Sequence, residues 1–166
     1  MYVDRDDTSI ALGKTRQHLT GQFYIQEVAA ALPANILKSL LDQEKSPEYS
    51  IKVLDLCAAP GGKTAQLADY LLKHRIPGIV RGNDVDAKRL STWATNIQRC
   101  GLYNTVASKL DGSQIGNLYP EFFDAILVDA PCSGEGTGFK SDAAYKRRTQ
   151  ESINKIVGLQ EHIVTS

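Results

Sequence analysis

The chain has 166 residues, 19 of them Lys or Arg and 19 Asp or Glu, so its formal charge is zero. With 42% hydrophobic and 23% charged residues it has the balance of a single globular domain and can bury a real core, unlike a disordered chain. No apolar run approaches the ~20 residues of a membrane helix, and the acidic start MYVDRDDTSIALGK lacks the apolar stretch of a secretory signal. Cys57, Cys100 and Cys132 are odd in number and widely spaced, which predicts no disulfide framework and a reducing, cytoplasmic compartment. There is no CxxC pattern, and His18, His74 and His162 are scattered, so no metal site is expected. Charge shifts along the chain: residues 1–50 carry five basic and seven acidic groups, 51–137 nine of each, and 138–166 five basic and three acidic, with Lys146, Arg147 and Arg148 consecutive. That run reads first as a solvated helix face, and a nucleic-acid partner would have to use such a local patch.

In chain order, residues 1–21 read as a polar, loosely packed lead-in. Helical spacing follows from Gln26 to Leu41, with Pro33 in its middle, predicting two short helices, QEVAAAL and PANILKSLL. Residues 1–50 are thus read as a lead-in with helices, and 51–166 as a separate unit. IKVLDL (51–56) is a short apolar run, followed by the small-residue turn CAAPGG. KTAQLADYLLKHR reads as a helix with Leu67, Leu71 and Leu72 near one face. A second strand is centred on Ile79 and Val80. Asp86 can cap the next helix and Gly101 can end it, while Leu90, Trp93, Ala94 and Ile97 fall at helical spacing. NTVASKLD (104–111) reads as a weak third strand. FFDAILVDAP (122–131) reads as a strong fourth, apolar enough to be buried on both faces. The last stretch is amphipathic, with Ile153, Ile156, Val157, Ile163 and Val164 on one side. Strands alternating with helices predict an α/β fold with a parallel sheet and right-handed crossovers.

In such sheets ligands sit beyond the carboxyl ends of the strands. The residues able to do chemistry follow the strands: CAAPGG after the first, Asp84 after the second, Asp111 after the third and DAPCSG after the fourth. The Gly62-Lys63-Thr64 ending suggests a phosphate loop. However, the first glycine of that motif would have to stand at Cys57, and GxGxxG is absent as well. The turn therefore suits a ligand without a polyphosphate. Its small residues let the backbone approach the ligand, and the following helix points free N–H groups at it. Asp84 can accept from ribose hydroxyls or be a surface acid beside a turn. Asp111 can accept from an exocyclic amine or belong to an Asp-Gly turn. Asp86 reads as a cap. Asp129 and Cys132 are delivered to the ligand side of the sheet by the fourth strand. A cysteine after proline in a Gly-rich loop is poorly placed for packing, whereas Cys57 reads as packing in the turn and Cys100, one residue before a helix-ending Gly, as having no chemical role.

GQFYIQE (21–27), DLCAAPGGKT (55–64) and DAPCSGEGT (129–137) resemble the Sun-type family of RNA cytosine-C5 methyltransferases, in particular bacterial members that modify small-subunit ribosomal RNA. The resemblance implies a Rossmann-like methyltransferase fold with strand order 3-2-1-4 in the part present, and S-adenosylmethionine as cofactor. The backbone of Cys57, Ala58, Ala59, Pro60, Gly61, Gly62 and Lys63 would cradle its methionine moiety, Asp84 would hold the ribose, Asp111 would contact the adenine, and Asp129 would lie beside cofactor and target base. The partner would be RNA, ribosomal or transfer.

Cytosine C5 is a poor nucleophile until a thiolate adds to C6, after which a base must remove the C5 proton. The resemblance implies that the adding cysteine lies after a fifth strand in a Thr-Cys motif, and that Cys132 assists product release. No Thr-Cys pair occurs in these residues. The chain is therefore expected to be the cofactor-binding part of such an enzyme, inactive alone; a non-catalytic binding module or split-protein subunit is the alternative. The fourth strand is then expected at an edge, with residues 122–130 open to a partner strand or a second copy.

Overall fold

The computed structural model describes residues 10–42, 49–132 and 149–165. Four parallel strands, β1 (Ile51–Asp55), β2 (Gly78–Asn83), β3 (Thr105–Ser108) and β4 (Ala125–Leu127), lie in the order β3-β2-β1-β4, as expected. β1, an interior strand, is the most deeply buried: only Lys52 is not fully buried. The register aligns Asp55 with Gly82 on one side and Leu127 on the other. The loops leaving β1, β2 and β4 therefore open along the same edge of the sheet.

Around the sheet lie α1 (Arg16–Leu19), α2 (Val28–Leu41), α3 (Gly62–Lys73), α4 (Ala87–Arg99), α5 (Ile115–Leu118) and α6 (Gln150–Val164). On one face, Val53 and Val80 pack with Leu67 and Leu71 of α3, Ala34 of α2, and Trp93 and Ile97 of α4. Leu67 and Leu71 are wholly enclosed, worth about 1.5–3 kcal/mol each. The opposite face is thinner: Leu54 and Leu56 meet Ile115 and Ile163. α4 starts and stops where its sequence directs. Asp86 Oδ1 accepts from the N–H groups of Lys88 (2.7 Å) and Arg89 (3.0 Å), and Gly101 takes the left-handed conformation, φ 67°, that ends the helix.

Several expectations are corrected. α2 is one helix running through Pro33. The proline removes only the bond to the Ala29 carbonyl; both residues are on the exposed side, where water can serve that carbonyl, while Ala34 and Leu41 are anchored in the core. Residues 10–21 carry regular structure, a 3-10 turn at Leu12–Lys14 and α1, though neither buries a residue, and Gly21 lies against the end of α4. β4 has three residues rather than ten and is not buried on both faces, for Leu127 is enclosed while Ile126 and Val128 are 52% and 42% exposed. It pairs with β1 alone among the described residues, and the second core closes over Leu54 and leaves Ile126 outside. In α4, Ala94 is exposed. In α6 the inward row is Ile153, Ile156 and Ile163, and Val157 and Val164 are exposed.

Candidate functional site

β1 ends on Asp55, and the next six residues turn back into α3. The turn is tied to the strands on both sides. Leu56 N–H donates to Leu127 O (2.9 Å), Ala58 N–H to Asn83 O (2.7 Å), and Ala59 N–H to Asp84 Oδ2 (3.4 Å). Gly61 closes the turn at φ 108°, and a Cβ there would come within 3.2 Å of the Trp93 ring. Only glycine meets both demands. α3 begins at Gly62 with no side-chain cap, so its first N–H groups have no intrahelical partner. They border a cavity of about 220 Å³. One wall is the turn from Cys57 to Pro60 with Gly62 and Lys63; the other is the stretch Tyr24–Glu27 with Ala30; Asp55 and Asp129 complete it.

The acids around this cavity differ in environment. Asp55 is 1% exposed. Its Oδ2 accepts from Thr64 Oγ1 (2.6 Å), and that hydroxyl accepts from Trp93 Nε1 (2.9 Å). Its Oδ1 is buried without a hydrogen-bond partner among the described residues. Burial pushes the Asp55 carboxyl up to about 6, against the opposing pull of the Thr64 hydroxyl and the Lys63 ammonium. Asp129, half exposed, is ion-paired with Lys63 Nζ at 2.6 Å, which joins the end of β4 to the first turn of α3. Asp84 is buried, and both its oxygens serve the protein: Oδ1 accepts from Asp86 N–H (3.0 Å), while Oδ2 takes the Ala59 N–H and lies 3.3 Å from Arg89 Nη2. The Arg89 guanidinium also donates to Ala59 O (3.0 Å). Asp111 caps the turn after β3 by accepting from Ser113 N–H (3.0 Å) and Ser113 Oγ (2.8 Å), which hold its carboxyl below the usual range.

The cysteines separate as well. Burial, then the nearby Asp84 and Asp55 carboxylates, push the Cys57 thiol up to about 11, which disfavours the thiolate. Burial also raises Cys100. Cys132 is exposed at the end of the described segment; Ser133–Thr137 of its motif and Lys146–Arg148 lie outside the described residues.

The cavity thus gathers Cys57, Ala58, Ala59, Pro60, Gly62, Lys63 and Asp129. Gly61 shapes the turn, and Asp84 stands directly behind it. Asp111 and Cys132 do not line the cavity. Asp55 was not assigned from sequence, and neither were four other structural contributors. Asn83 donates to Leu56 O (3.1 Å) and Leu110 O (3.0 Å) and accepts from Leu110 N–H (3.0 Å), tying the loops after β1 and β3 to β2. Arg89 braces Asp84, and Tyr24 and Gln26 form a wall. Asp55, Tyr24 and Gln26 carried a signal, because they lie within DLCAAPGGKT and GQFYIQE; Asn83 and Arg89 did not.

A family model described as 16S rRNA methyltransferase RsmB/F matches residues 41–166. The chain belongs to that family. It is 39% identical over 165 residues to the ribosomal RNA small subunit methyltransferase F of Vibrio vulnificus (strain YJ016), covering 99% of this chain and 33% of that protein. The chain spans about a third of the length of the curated relatives it matches. Among solved structures it is similar to a methyltransferase homolog protein from Pyrococcus horikoshii, with 34% identity, a TM-score of 0.73, and coverage of 95% of this chain and 45% of that one. It is also similar to NSun6 from Pyrococcus horikoshii, solved with SFG, with 27% identity, a TM-score of 0.71, and coverage of 93% and 36%. The parallel sheet of this RsmB/F-family chain is the Rossmann-like sheet of methyltransferases. Among its described residues no cluster of His, Cys, Asp and Glu is placed to hold a metal ion, and no helix is long and apolar enough to cross a membrane.

Proposed function

We propose that this chain carries the S-adenosylmethionine-binding part of an enzyme that methylates C5 of cytosine in RNA, ribosomal RNA foremost, in the cytoplasm. The observation that carries the reading is the uncapped first turn of α3, opening with Lys63 and Asp129 into one cavity at the strand ends. The donor set fits the cofactor: free N–H groups at a helix start suit a carboxylate, and the unpartnered Asp55 Oδ1 offers an acceptor for an ammonium. NSun6 of Pyrococcus horikoshii was solved with SFG, an S-adenosylmethionine analogue, which supports the same ligand class here.

In this reading the turn from Cys57 to Lys63 holds the methionine moiety, Asp84 the ribose and Asp111 the adenine. Bound S-adenosylmethionine supplies the methyl group. The protein's own contribution is geometric and electrostatic. Lys63 fixes Asp129 at the rim, where the carboxylate can meet the cytosine. Cys57, protonated, stays out of the chemistry, and Cys132 serves release of the methylated base. The cysteine that adds to C6 is not in a Thr-Cys pair among these 166 residues, so the part played by this chain is cofactor binding. RNA contact would draw on Lys146, Arg147 and Arg148 through phosphates. The edge position of β4, paired with β1 alone among the described residues, favours a further strand or a second copy along 122–130, and a monodisperse monomer at high concentration would remove that element.

Calorimetric titration with S-adenosylmethionine and with ATP tests the ligand class. Binding of the former alone is expected; binding of ATP alone overturns the proposal.

A further inference from the structure

The wall formed by Tyr24–Glu27 precedes α2, and a distant side chain ties the chain leading into it to the end of α4. Arg99 ends α4, where a cation is favoured by the helix dipole. Its Nη1 donates to His18 O (2.6 Å) and Phe23 O (3.3 Å), and the guanidinium lies 6.0 Å from the centre of the Tyr24 ring. At the same place Gly21, φ 76°, lies so close to the helix end that a Cβ would come within 1.8 Å of Arg99 O. From this anchor the chain runs to the cavity. Tyr24 Oη donates to Pro60 O (3.4 Å), Gln26 Nε2 donates to Ala30 O (3.1 Å), and a Cβ on Gly62 would meet the Tyr24 ring at 3.0 Å and the Gln26 amide at 3.1 Å. The wall therefore closes over Pro60 and Gly62, beside the free N–H groups of α3. Asp84 and Asp111, the acids assigned to the adenosine end, are outside it.

We infer that Arg99 is a positioning residue which fastens residues 18–23, so holds Tyr24–Glu27 as the second wall of the pocket, and thereby sets the grip on the methionine end of the cofactor. The inference rests on the S-adenosylmethionine reading above. Arg99 does not line the cavity, and its effect is transmitted through the carbonyls of His18 and Phe23. A wall tied by hydrogen bonds is already ordered before the ligand arrives, and that order is what the ligand would otherwise have to impose.

The test compares two ligands on the whole chain by calorimetry. S-Adenosylmethionine reaches both ends of the pocket, whereas 5′-methylthioadenosine lacks the amino-acid end. In Arg99→Ala, S-adenosylmethionine affinity should fall about tenfold, the loss expected from two hydrogen bonds. Affinity for 5′-methylthioadenosine should change less than about twofold, and Arg99→Lys, which keeps a donor and the charge, should recover part of the loss. A purely structural role would lower both affinities by one factor, and that result overturns the inference, as does an unchanged S-adenosylmethionine affinity. Should Arg99→Ala fail to fold, Gly21→Ala displaces the same wall with Arg99 in place. It should show the same ligand-selective loss, and equal effects on the two ligands would again overturn the inference. Wild-type chain that binds no S-adenosylmethionine would refute the pocket reading itself, and the role of Arg99 with it.

Discussion

Asp55→Asn separates the charge of the buried carboxyl from its shape. In the folded chain Asp55 is 1% exposed, and burial raises its carboxyl from 3.8 to about 6. A folded-state value above the unfolded one means that folding favours the protonated form. That stabilising share is complete below the unfolded value and is lost as pH rises through the folded value. Each unit is worth about 1.4 kcal/mol, so the charged form carries a penalty of about 3 kcal/mol at neutral pH, little of which has developed at pH 4. Asparagine carries no such titration. It can still accept from Thr64 Oγ1, and any packing cost of its amide is independent of pH. Urea unfolding of both proteins at pH 4, 5, 6 and 7 should therefore show the variant gaining about 2 kcal/mol on the wild type across that range. Parallel stability profiles would refute the claim that Asp55 is forced to ionise in the interior.

Three further outcomes follow from contacts around the same pocket. Gly82→Ala places a Cβ within 2.5 Å of the buried Trp93 ring and should cost about 1–3 kcal/mol by overpacking, read as a lower urea midpoint. Asp84→Ala removes the acceptor for the Ala59 and Asp86 N–H groups and should weaken S-adenosylmethionine binding at least about tenfold in calorimetry; unchanged affinity would free Asp84 from the ligand and from the turn. Asp86→Ala loses only the cap of α4, so the melting temperature should fall while the affinity stays constant. Because backbone N–H groups hold the Asp86 carboxyl below its ordinary value, that loss should be present at neutral pH and fade as pH falls through the acid range.

The alternation of strands and helices was legible because local residues mark its joints: Asp86 and Gly101 bracket α4 with bonds to their near neighbours. The ligand-facing turn was legible for a similar reason, since CAAPGG combines small side chains with the left-handed position only Gly61 accepts. What escaped depends on distance along the chain. Asn83 earns its place from partners 27 residues away on each side, at Leu56 and Leu110, and nothing in the residues next to it announces that. Tyr24 meets Pro60 across 36 residues. The apolar run 122–131 showed that a strand was present. Its burial was set by neighbours that the run itself does not encode, and in the structure Ile126 is left half exposed. Pro33 misled in the opposite direction, because a helix held by Ala34 and Leu41 tolerates one missing bond on its wet side.

Trp93 is the molecule's single tryptophan, and it lies against Gly61 with its indole N–H committed to Thr64 at the start of α3. The chain therefore carries an intrinsic optical gauge at its binding turn. Whatever enters there and shifts Gly61 or the first turn of α3 alters the emission of that one ring, so occupancy can be followed without attaching a dye.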